Sequence, residues 1–317
     1  MDGIIIIDKP GGITSFQVVK RVKNILKAAK VGHGGTLDPL ATGVLPIFLN
    51  RATKLASFLM NGTKKYRATM KLGVETDTQD CEGKITSESD RIPKDHEVIT
   101  RALNSFQGTI EQVPPMFSAL KFQGTPLYKL ARKGISLDLK ARKVHLYEIT
   151  PINISPPFVT FEVSCSPGTY IRTLCADAGK KLGCGAHLTE LKRLQSGSFL
   201  LDDSISLDQL NHLAKQDSLN NILFSLSKTL KVLPEVTVEN QVLTTLRKSG
   251  SVLLSQLKNT SLPSMEKGDF LTATCQSDSY VALVQSQIDN AQSSMISDTT
   301  RIWKLVCMLN PKENTIH

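Results

Sequence analysis

The segment KKYRATMKL, residues 64–72, alternates strictly between two kinds of side chain. A two-residue period over this length predicts a strand with one buried and one exposed face, as in antiparallel sheets. Because such a sheet must cover its apolar face with another layer, we expect helices packed against it. The apolar positions are Tyr66, Ala68, Met70 and Leu72, and the outer positions are Lys65, Arg67, Thr69 and Lys71.

Other segments supply the helices and further strands. Residues 16–30 carry apolar side chains at helical spacing behind a capping box of Thr14 and Gln17, and residues 95–106 repeat that spacing. We therefore expect an α+β fold with a mixed, mainly antiparallel sheet flanked by helices. Further strands are expected at 3–7, 143–152, 158–165, 270–275, 279–285 and 301–309, and further helices at 54–60 and within 207–230.

A change of composition at Pro234 predicts a domain boundary. The sequence beyond it is polar and serine-rich, with three short strand candidates, which is typical of a small β-rich unit. The chain has 317 residues, enough for two separate cores. We expect one domain over residues 1–232 and a second, smaller one over residues 233–317.

Positive charge is concentrated at the start of the chain. Residues 1–72 hold twelve Lys and Arg against three acids, which accounts for the whole net charge of +9. Five of these basic residues lie on one face of the helix expected at 16–30. Such an asymmetry indicates a polyanionic partner, either nucleic acid or an acidic membrane surface, although a solvated lysine-rich surface has the same pattern.

Several classes of protein do not fit the sequence. The six cysteines are scattered without a Cys-x-x-Cys pair, so neither a zinc site nor a disulfide framework is indicated. The nucleotide-binding phosphate loop, the dinucleotide fingerprint and the Gly-x-Ser-x-Gly elbow of serine hydrolases are all missing. No apolar run approaches the length of a membrane span. We therefore expect a cytoplasmic protein with reduced, mostly buried thiols.

The segment VGHGGTLDPLATGVLP, residues 31–46, frames one carboxylate, Asp38, with glycines and prolines. We call it the glycine-rich segment. Glycines allow a ligand to approach the backbone closely, and Pro39 keeps Asp38 extended, so its carboxylate is held in one direction. The alternative is an ordinary Asp-Pro turn in which the carboxylate bonds its own backbone.

Four segments in order, GIIIIDKPGGITS, GHGGTLDPLATGVLP, KKYRATMKLG and SPGTYIRTL, closely resemble the TruB family of tRNA pseudouridine synthases over roughly residues 2–200. The resemblance implies a pseudouridine synthase fold that ends in a small β-barrel of the PUA type, an RNA-binding module. It also implies isomerisation of uridine to pseudouridine in the T loop of tRNA (position 55), without metal or organic cofactor. The partner is then the T-arm of tRNA, with no membrane and no obligate protein partner.

The same resemblance assigns roles to individual residues. Asp38 corresponds to the catalytic aspartate, and Arg172 to the arginine that pairs with it. A neighbouring arginine is needed because burial alone would raise the pKa of a carboxylate that must be ionised. The remaining residues are implied to bind substrate: His33 beside the flipped nucleotide, Tyr66 stacked on the base, Tyr170 and Leu191 lining the pocket, and Lys9, Lys54 and Asp80 in the cleft.

Two further expectations follow from this assignment. Tyr170 and Arg172 share one face only if the chain is still extended there, so the helix that follows must begin near Ile171 or Arg172. The basic helix, Lys9, Lys54 and the outer face of strand 64–72 are expected to contact phosphates.

Two other functions remain open. One is a guide-directed synthase acting on ribosomal RNA, a branch that shares the Asp38 motif. The other is an RNA-binding or tRNA-folding factor whose catalytic activity is incidental or lost, which the intact set of Asp38, Tyr66 and Arg172 disfavours.

Overall fold

The computed structural model describes residues 1–224, 230, 233–258, 260–276, 278–289 and 297–309. The strands are β1 (Gly3–Lys9), β2 (Val31–His33), β3 (Thr42–Leu49), β4 (Lys64–Leu72), β5 (Val74–Thr76), β6 (Ile85–Glu88), β7 (Gly108–Gln112), β8 (Lys121–Phe122), β9 (Thr125–Pro126), β10 (Arg142–Ser155), β11 (Phe158–Cys165), β12 (Ala186–Ser196), β13 (Phe199–Leu200), β14 (Glu235–Thr237), β15 (Ser251–Leu253), β16 (Phe270–Cys275), β17 (Asp278–Ser286) and β18 (Arg301–Leu309). The helices are α1 (Ser15–Leu26), α2 (Ala56–Leu59), α3 (His96–Asn104), α4 (Leu127–Ala131), α5 (Ile171–Lys181), α6 (Leu207–Lys215) and α7 (Asn240–Ser249), with 3₁₀ helices at Asn50–Leu55, Leu201–Asp203 and Leu254–Leu257.

A nine-stranded sheet forms the main body of the protein. Its strand order is β1-β3-β12-β4-β11-β10-β7, with β2 paired to β3 and β13 paired to β12. The contact between β3 and β12 is parallel and the other pairings in this sheet are antiparallel. The expectation of a mixed, mainly antiparallel sheet is thus confirmed. Its central strand is β4, between β11 and β12.

The alternation in β4 produces the burial that its sequence predicts. Tyr66, Ala68, Met70 and Leu72 belong to the main hydrophobic core, whereas the intervening side chains face outward. Helices α1, α3, α5 and α6 contribute apolar side chains to the same core. Strand β1 is instead buried on both faces, because Ile5 and Ile7 enter this core while Ile4 and Ile6 enter a different hydrophobic cluster.

Helix α1 is shorter than its sequence predicts. The capping box of Thr14 and Gln17 is present, but the helix ends at Leu26 and Lys27 adopts a left-handed conformation. The chain then leaves the helix, and Lys30 pairs with Asn50 instead: the amide of Asn50 donates to the Lys30 carbonyl over 2.7 Å. The predicted basic face remains exposed on the helix and the turn after it: Lys20, Arg21, Lys23, Lys27 and Lys30.

The remaining predicted elements have mixed outcomes. The segment 54–60 forms the end of a 3₁₀ helix followed by α2, and α6 accounts for the first part of 207–230. The second helix expected in that range falls largely on residues 225–229, which lie outside the described residues. No disulfide links the six cysteines; four are buried, Cys275 is half-buried and Cys81 is exposed.

A second sheet contains the C-terminal strands. Its order is β14-β16-β17-β18-β15, and it covers its own hydrophobic cluster, which includes Trp303. The three strands expected from the sequence are present as β16, β17 and β18. No pairing closes this sheet into a barrel within the part of the chain that the structure describes. A third cluster joins the two sheets, since it combines Ile4, Ile6 and Phe48 with Leu283 and Cys307.

Among the helices described, none has both the length and the apolar character needed to cross a bilayer.

Candidate active site

A cavity of about 450 Å³ opens beside the glycine-rich segment. This volume lies within the range of small-ligand pockets. Five segments of the main body contribute walls, and five of the residues that the sequence singled out are among them. The lining residues are Gly35, Thr36, Leu37, Asp38, Met60, Asn61, Lys64, Tyr66, residues 118–120, residues 167–172, Leu191 and Arg193.

Asp38 lies in the loop between β2 and β3, and the residues on both sides of it are held in place. The Ser15 hydroxyl donates to the Leu37 carbonyl over 3.0 Å and accepts from the Leu37 amide over 2.8 Å. On the other side, the Gly12 amide donates to the Pro39 carbonyl over 2.9 Å. The backbone that carries the carboxylate is therefore fixed by contacts to the start of the chain.

The side chain of Lys9 also holds this loop in place. Its ammonium donates to the carbonyls of Ala41 at 2.6 Å, Pro10 at 2.9 Å and Pro39 at 3.1 Å, and the side chain is fully buried. Burial lowers the pKa of Lys9 to about 8, although the charge of Asp38 opposes this shift. All three protons are engaged, so the expectation that Lys9 contacts a phosphate is wrong. Its position is that of a support for the Asp38 loop.

Arg172 connects Asp38 to the rest of the site. Its Nε lies 2.9 Å from Asp38 Oδ2, and its Nη2 lies 3.3 Å from Asp38 Oδ1, which makes a two-point ion pair. The guanidinium also donates to the carbonyls of Thr78 and Phe117 and lies 3.5 Å from Asp80 Oδ2. The Arg172 side chain is 4 % exposed, whereas that of Asp38 keeps 32 % exposure. The pair therefore presents its carboxylate, rather than its guanidinium, to the cavity.

The pKa of Asp38 reflects two opposing effects. Burial raises it above the ordinary value, and the charge and hydrogen bond of Arg172 lower it. The negative charge of Asp80 adds to the rise, and the overall direction is upward. Arg172 thus opposes the effect of burial, as the sequence argument required, without cancelling it.

The two tyrosines enter the cavity from different elements. Tyr66 is 8 % exposed and belongs both to the hydrophobic core and to the cavity wall. Tyr170 is extended, with φ −97° and ψ 109°, and caps α5, which begins at Ile171. The late helix start is therefore confirmed. Gln112 holds Tyr170 by accepting from its amide at 2.7 Å and donating to its carbonyl at 3.0 Å.

The other residues assigned by resemblance take different positions. Leu191 lines the cavity on β12. Asp80 is buried behind Arg172 and does not line the cavity. His33 ends β2 outside the lining; burial and the charge of Arg193 lower its pKa, which favours the neutral imidazole. Lys54 is exposed on the 3₁₀ helix Asn50–Leu55, away from the cavity wall.

The outer face of β4 is not part of this site. Lys65 lies 2.9 Å and Arg67 lies 2.7 Å from the carboxylate of Glu162 on the neighbouring strand. Both side chains point away from Tyr66, since successive strand residues face opposite sides. The expectation that the outer face of β4 contacts phosphates stays a prediction, and in this structure Glu162 occupies both side chains.

Two buried basic residues in the cavity wall were missed by the sequence analysis. Arg193 donates from Nε to the Val44 carbonyl at 2.7 Å and from Nη2 to the Gly35 carbonyl at 3.0 Å. Lys64 donates to the carbonyls of Met60 at 2.8 Å and Gly62 at 2.6 Å. The two-residue period contained the signal, because Lys64 precedes Tyr66 by two positions and Arg193 follows Leu191 by two.

The comparison with protein families covers most of the chain. Residues 23–171 match the model of the TruB family pseudouridylate synthase N-terminal domain, and residues 172–231 match the tRNA pseudouridylate synthase B C-terminal domain. Among solved structures, the chain is similar to that of a Cbf5–Nop10–Gar1 complex, with a TM-score of 0.72 and 28 % identity over 96 % of this chain and 85 % of the other. Fold and site together define a pseudouridine synthase.

Curated relatives narrow this class further. The tRNA pseudouridine synthase B of Syntrophus aciditrophicus (strain SB) is 46 % identical over 286 residues, which is 90 % of this chain and 91 % of that protein. The protein of the same name from Clostridium acetobutylicum is 51 % identical over 241 residues, 76 % of this chain and 82 % of its own length. The chain belongs to the TruB family of pseudouridylate synthases.

Proposed function

We propose that this enzyme isomerises uridine to pseudouridine in the T loop of tRNA, at position 55. The observation that carries the proposal is the Asp38–Arg172 ion pair, whose carboxylate faces a cavity walled by Tyr66, Tyr170 and Leu191. Relatives named tRNA pseudouridine synthase B support tRNA as the substrate. Because tRNA is a cytoplasmic molecule, we place the reaction in the cytoplasm.

The chemistry fits a single aspartate in an enclosed pocket. The bond between N1 of uracil and C1′ of ribose breaks, the base turns, and a bond forms between C5 and C1′. The proton lost from C5 is balanced by one gained at N1, so no atom is added or removed overall. An ionised Asp38 either attacks the sugar or removes a proton from it, and exclusion of water protects the detached intermediate.

The surrounding residues have separate tasks in this proposal. Arg172 favours the ionised form of Asp38 and aims it. A base drawn out of its loop stacks on Tyr66, while Tyr170 and Leu191 enclose it. The neutral His33 contributes shape or a hydrogen bond rather than proton transfer. The exposed lysines of α1 and of the turn after it contact phosphates and supply affinity.

We assign the second sheet to a small RNA-binding unit of the PUA type over residues 233–317. Its own hydrophobic cluster supports treating it as a separate module. Exposed Arg301 and Lys304 on β18 are candidates for phosphate contacts. If this assignment holds, replacing the two residues by Gln weakens tRNA binding and reduces its salt dependence. If it does not, the affinity and the salt dependence stay unchanged.

The test is conversion of unmodified tRNA transcript by the purified protein, with no other protein or guide RNA. Pseudouridine is mapped by carbodiimide modification and primer extension, with Asp38→Asn in parallel. A stop at the T-loop uridine that is lost in Asp38→Asn supports the proposal. Tight tRNA binding without a stop would favour a guide-directed synthase or a folding factor instead, and a stop that survives the substitution would contradict the role of Asp38.

A further inference from the structure

Lys64 is a buried cation at one side of the cavity. It is the first residue of β4, and its side chain lies on the same face as Tyr66, two residues farther along the strand. The residue is 6 % exposed, and two of its three N–H donors are taken by the carbonyls of Met60 and Gly62. The third donor has no acceptor among the residues that the structure describes.

The charges around Lys64 are unbalanced. The carboxylate of Asp38 is already paired with Arg172, as is that of Asp80. Lys64 and Arg193 both line the cavity, and neither forms an ion pair with a carboxylate in the described part of the chain. The charged group that acts most strongly on Lys64 is Arg193, and burial together with this like charge lowers the pKa of Lys64 to about 8.

A buried cation without a counter-ion is costly unless an anion reaches it. Uracil and ribose are both neutral, so the anions that a flipped uridine brings to the cavity are the phosphodiesters on either side of it. Those groups remain near the cavity entrance because they continue into the RNA chain. Lys64 lines the same cavity as Tyr66, the proposed stacking residue, and lies on the same face of β4 two residues before it.

We propose that Lys64 binds a phosphodiester directly flanking the flipped uridine, through the ammonium proton that the protein leaves without an acceptor. This inference rests on the proposed function, because it assumes that a uridine enters the cavity. It assigns Lys64 a direct contact with substrate, in addition to its support of the turn at Met60 and Gly62. The contact is charge-assisted and partly desolvated, so its loss has a measurable effect on binding.

The test removes the negative charge of a single phosphodiester from the RNA and asks whether the effect depends on Lys64. T-arm hairpins are made with a neutral methylphosphonate in place of the phosphodiester 5′ or 3′ of the target uridine, or at one stem position. Binding is measured in an Asp38→Asn background to prevent turnover, in full-length protein with Lys64, with Lys64→Met, or with the matched control Lys65→Met. Conversion of the unmodified hairpin by the unsubstituted enzyme tests the proposed function separately.

We expect one flanking methylphosphonate to weaken binding on the order of tenfold more than the stem substitution. That extra loss disappears in Lys64→Met and persists in Lys65→Met, because Lys65 faces the opposite side of β4 and pairs with Glu162. If the flanking methylphosphonate causes the same extra loss of binding in Lys64→Met as in the protein with Lys64, the proposal is overturned. No extra loss at either flanking position would overturn it too, even where Lys64→Met weakens the fold, because the RNA substitutions leave the protein unchanged.

Discussion

Arg172 is the residue on which the site depends most. One guanidinium contacts two carboxylates and two backbone carbonyls, which come from three loops that are far apart in sequence. Its partner Asp38 is 134 positions away. Because burial raises the pKa of Asp38 and Arg172 opposes the rise, the ionised fraction of this carboxylate depends on the contact.

Replacing Arg172 by Met shifts the acidic limb of the pH–rate profile upward. In the proposed mechanism the active form of Asp38 is the carboxylate, so activity is present above its pKa and is lost as the pH falls through it. Removing the neighbouring positive charge raises that pKa further, because Arg172 is the group that opposes the effect of burial. Single-turnover conversion of tRNA measured across the acidic and neutral range checks the shift.

Asp80→Asn provides the opposite control. The charge of Asp80 raises the pKa of Asp38, so its removal moves the acidic limb to lower pH. A shift in the same direction for Arg172→Met and Asp80→Asn would contradict this account of the site.

At the scale of elements, the parallel contact between β3 and β12 fixes the glycine-rich segment against the central sheet. Gly43 pairs with Arg193 across this contact and has φ +96°. A Cβ at this position would lie 2.3 Å from the Arg193 carbonyl oxygen, so the two strands approach too closely for any side chain. The strand that begins just after Asp38 is therefore held in register by a glycine.

Gly43→Ala is expected to destabilise the protein by several kcal/mol, on the order of 3–5, because overpacking against backbone adds to the strain of a positive φ. Gly108→Ala is the matched control, since Gly108 has φ +101° and nothing within 4 Å of the added Cβ. Comparing the denaturant unfolding of the two variants separates the cost of the close approach to Arg193 from the cost of the positive φ. Equal losses of unfolding free energy would mean that backbone strain alone explains the effect.

The exposed face of α1 is the surface that we propose for phosphate contacts. Lys20 and Lys23 lie on it and have no carboxylate partner in the described chain, whereas Lys65 is paired with Glu162. Replacing Lys20 and Lys23 together by Gln is expected to weaken tRNA binding and to reduce its salt dependence, with a slope change of about 0.7–0.9 per lost phosphate contact. Kd measured against salt concentration checks this, and an equal change in Lys65→Gln would contradict it.

At the scale of the whole molecule, the two sheets share a hydrophobic cluster. Leu283 and Cys307 of the second sheet pack with Ile4, Ile6 and Phe48 of the first, and the rings of Phe58 and Phe270 lie 5.1 Å apart. A shared buried cluster couples the unfolding of its two sides. We therefore expect the two sheets to unfold together.

Leu283→Ala tests this coupling because Leu283 is fully buried in the shared cluster. The substitution is expected to cost about 2–5 kcal/mol and to lower the temperature of one common transition in calorimetry. Leu271→Ala, in the cluster confined to the second sheet, is the comparison. Two separate unfolding transitions, with Leu283→Ala lowering the temperature of only the transition of the second sheet, would contradict a single cooperative unit.

The sequence by itself determined which residues share a face and where several elements begin. The alternation of β4 and the capping box of α1 are local properties, because side-chain direction follows from backbone geometry within a few residues. The resemblance to a known family added Asp38, Tyr66, Tyr170, Arg172 and Leu191, and the structure brings these five to one cavity.

Only the tertiary structure decided what each charged side chain does. Lys9 turns inward to three carbonyls, Lys65 and Arg67 pair with Glu162, and Lys64 and Arg193 line the cavity. The two-residue period assigns Lys64 and Lys65 to opposite faces of β4, but the local sequence of a lysine does not show which carbonyl or carboxylate it meets. Its role depends on which distant strand or loop lies beside it, and that is set by strand order and long-range packing rather than by neighbouring residues.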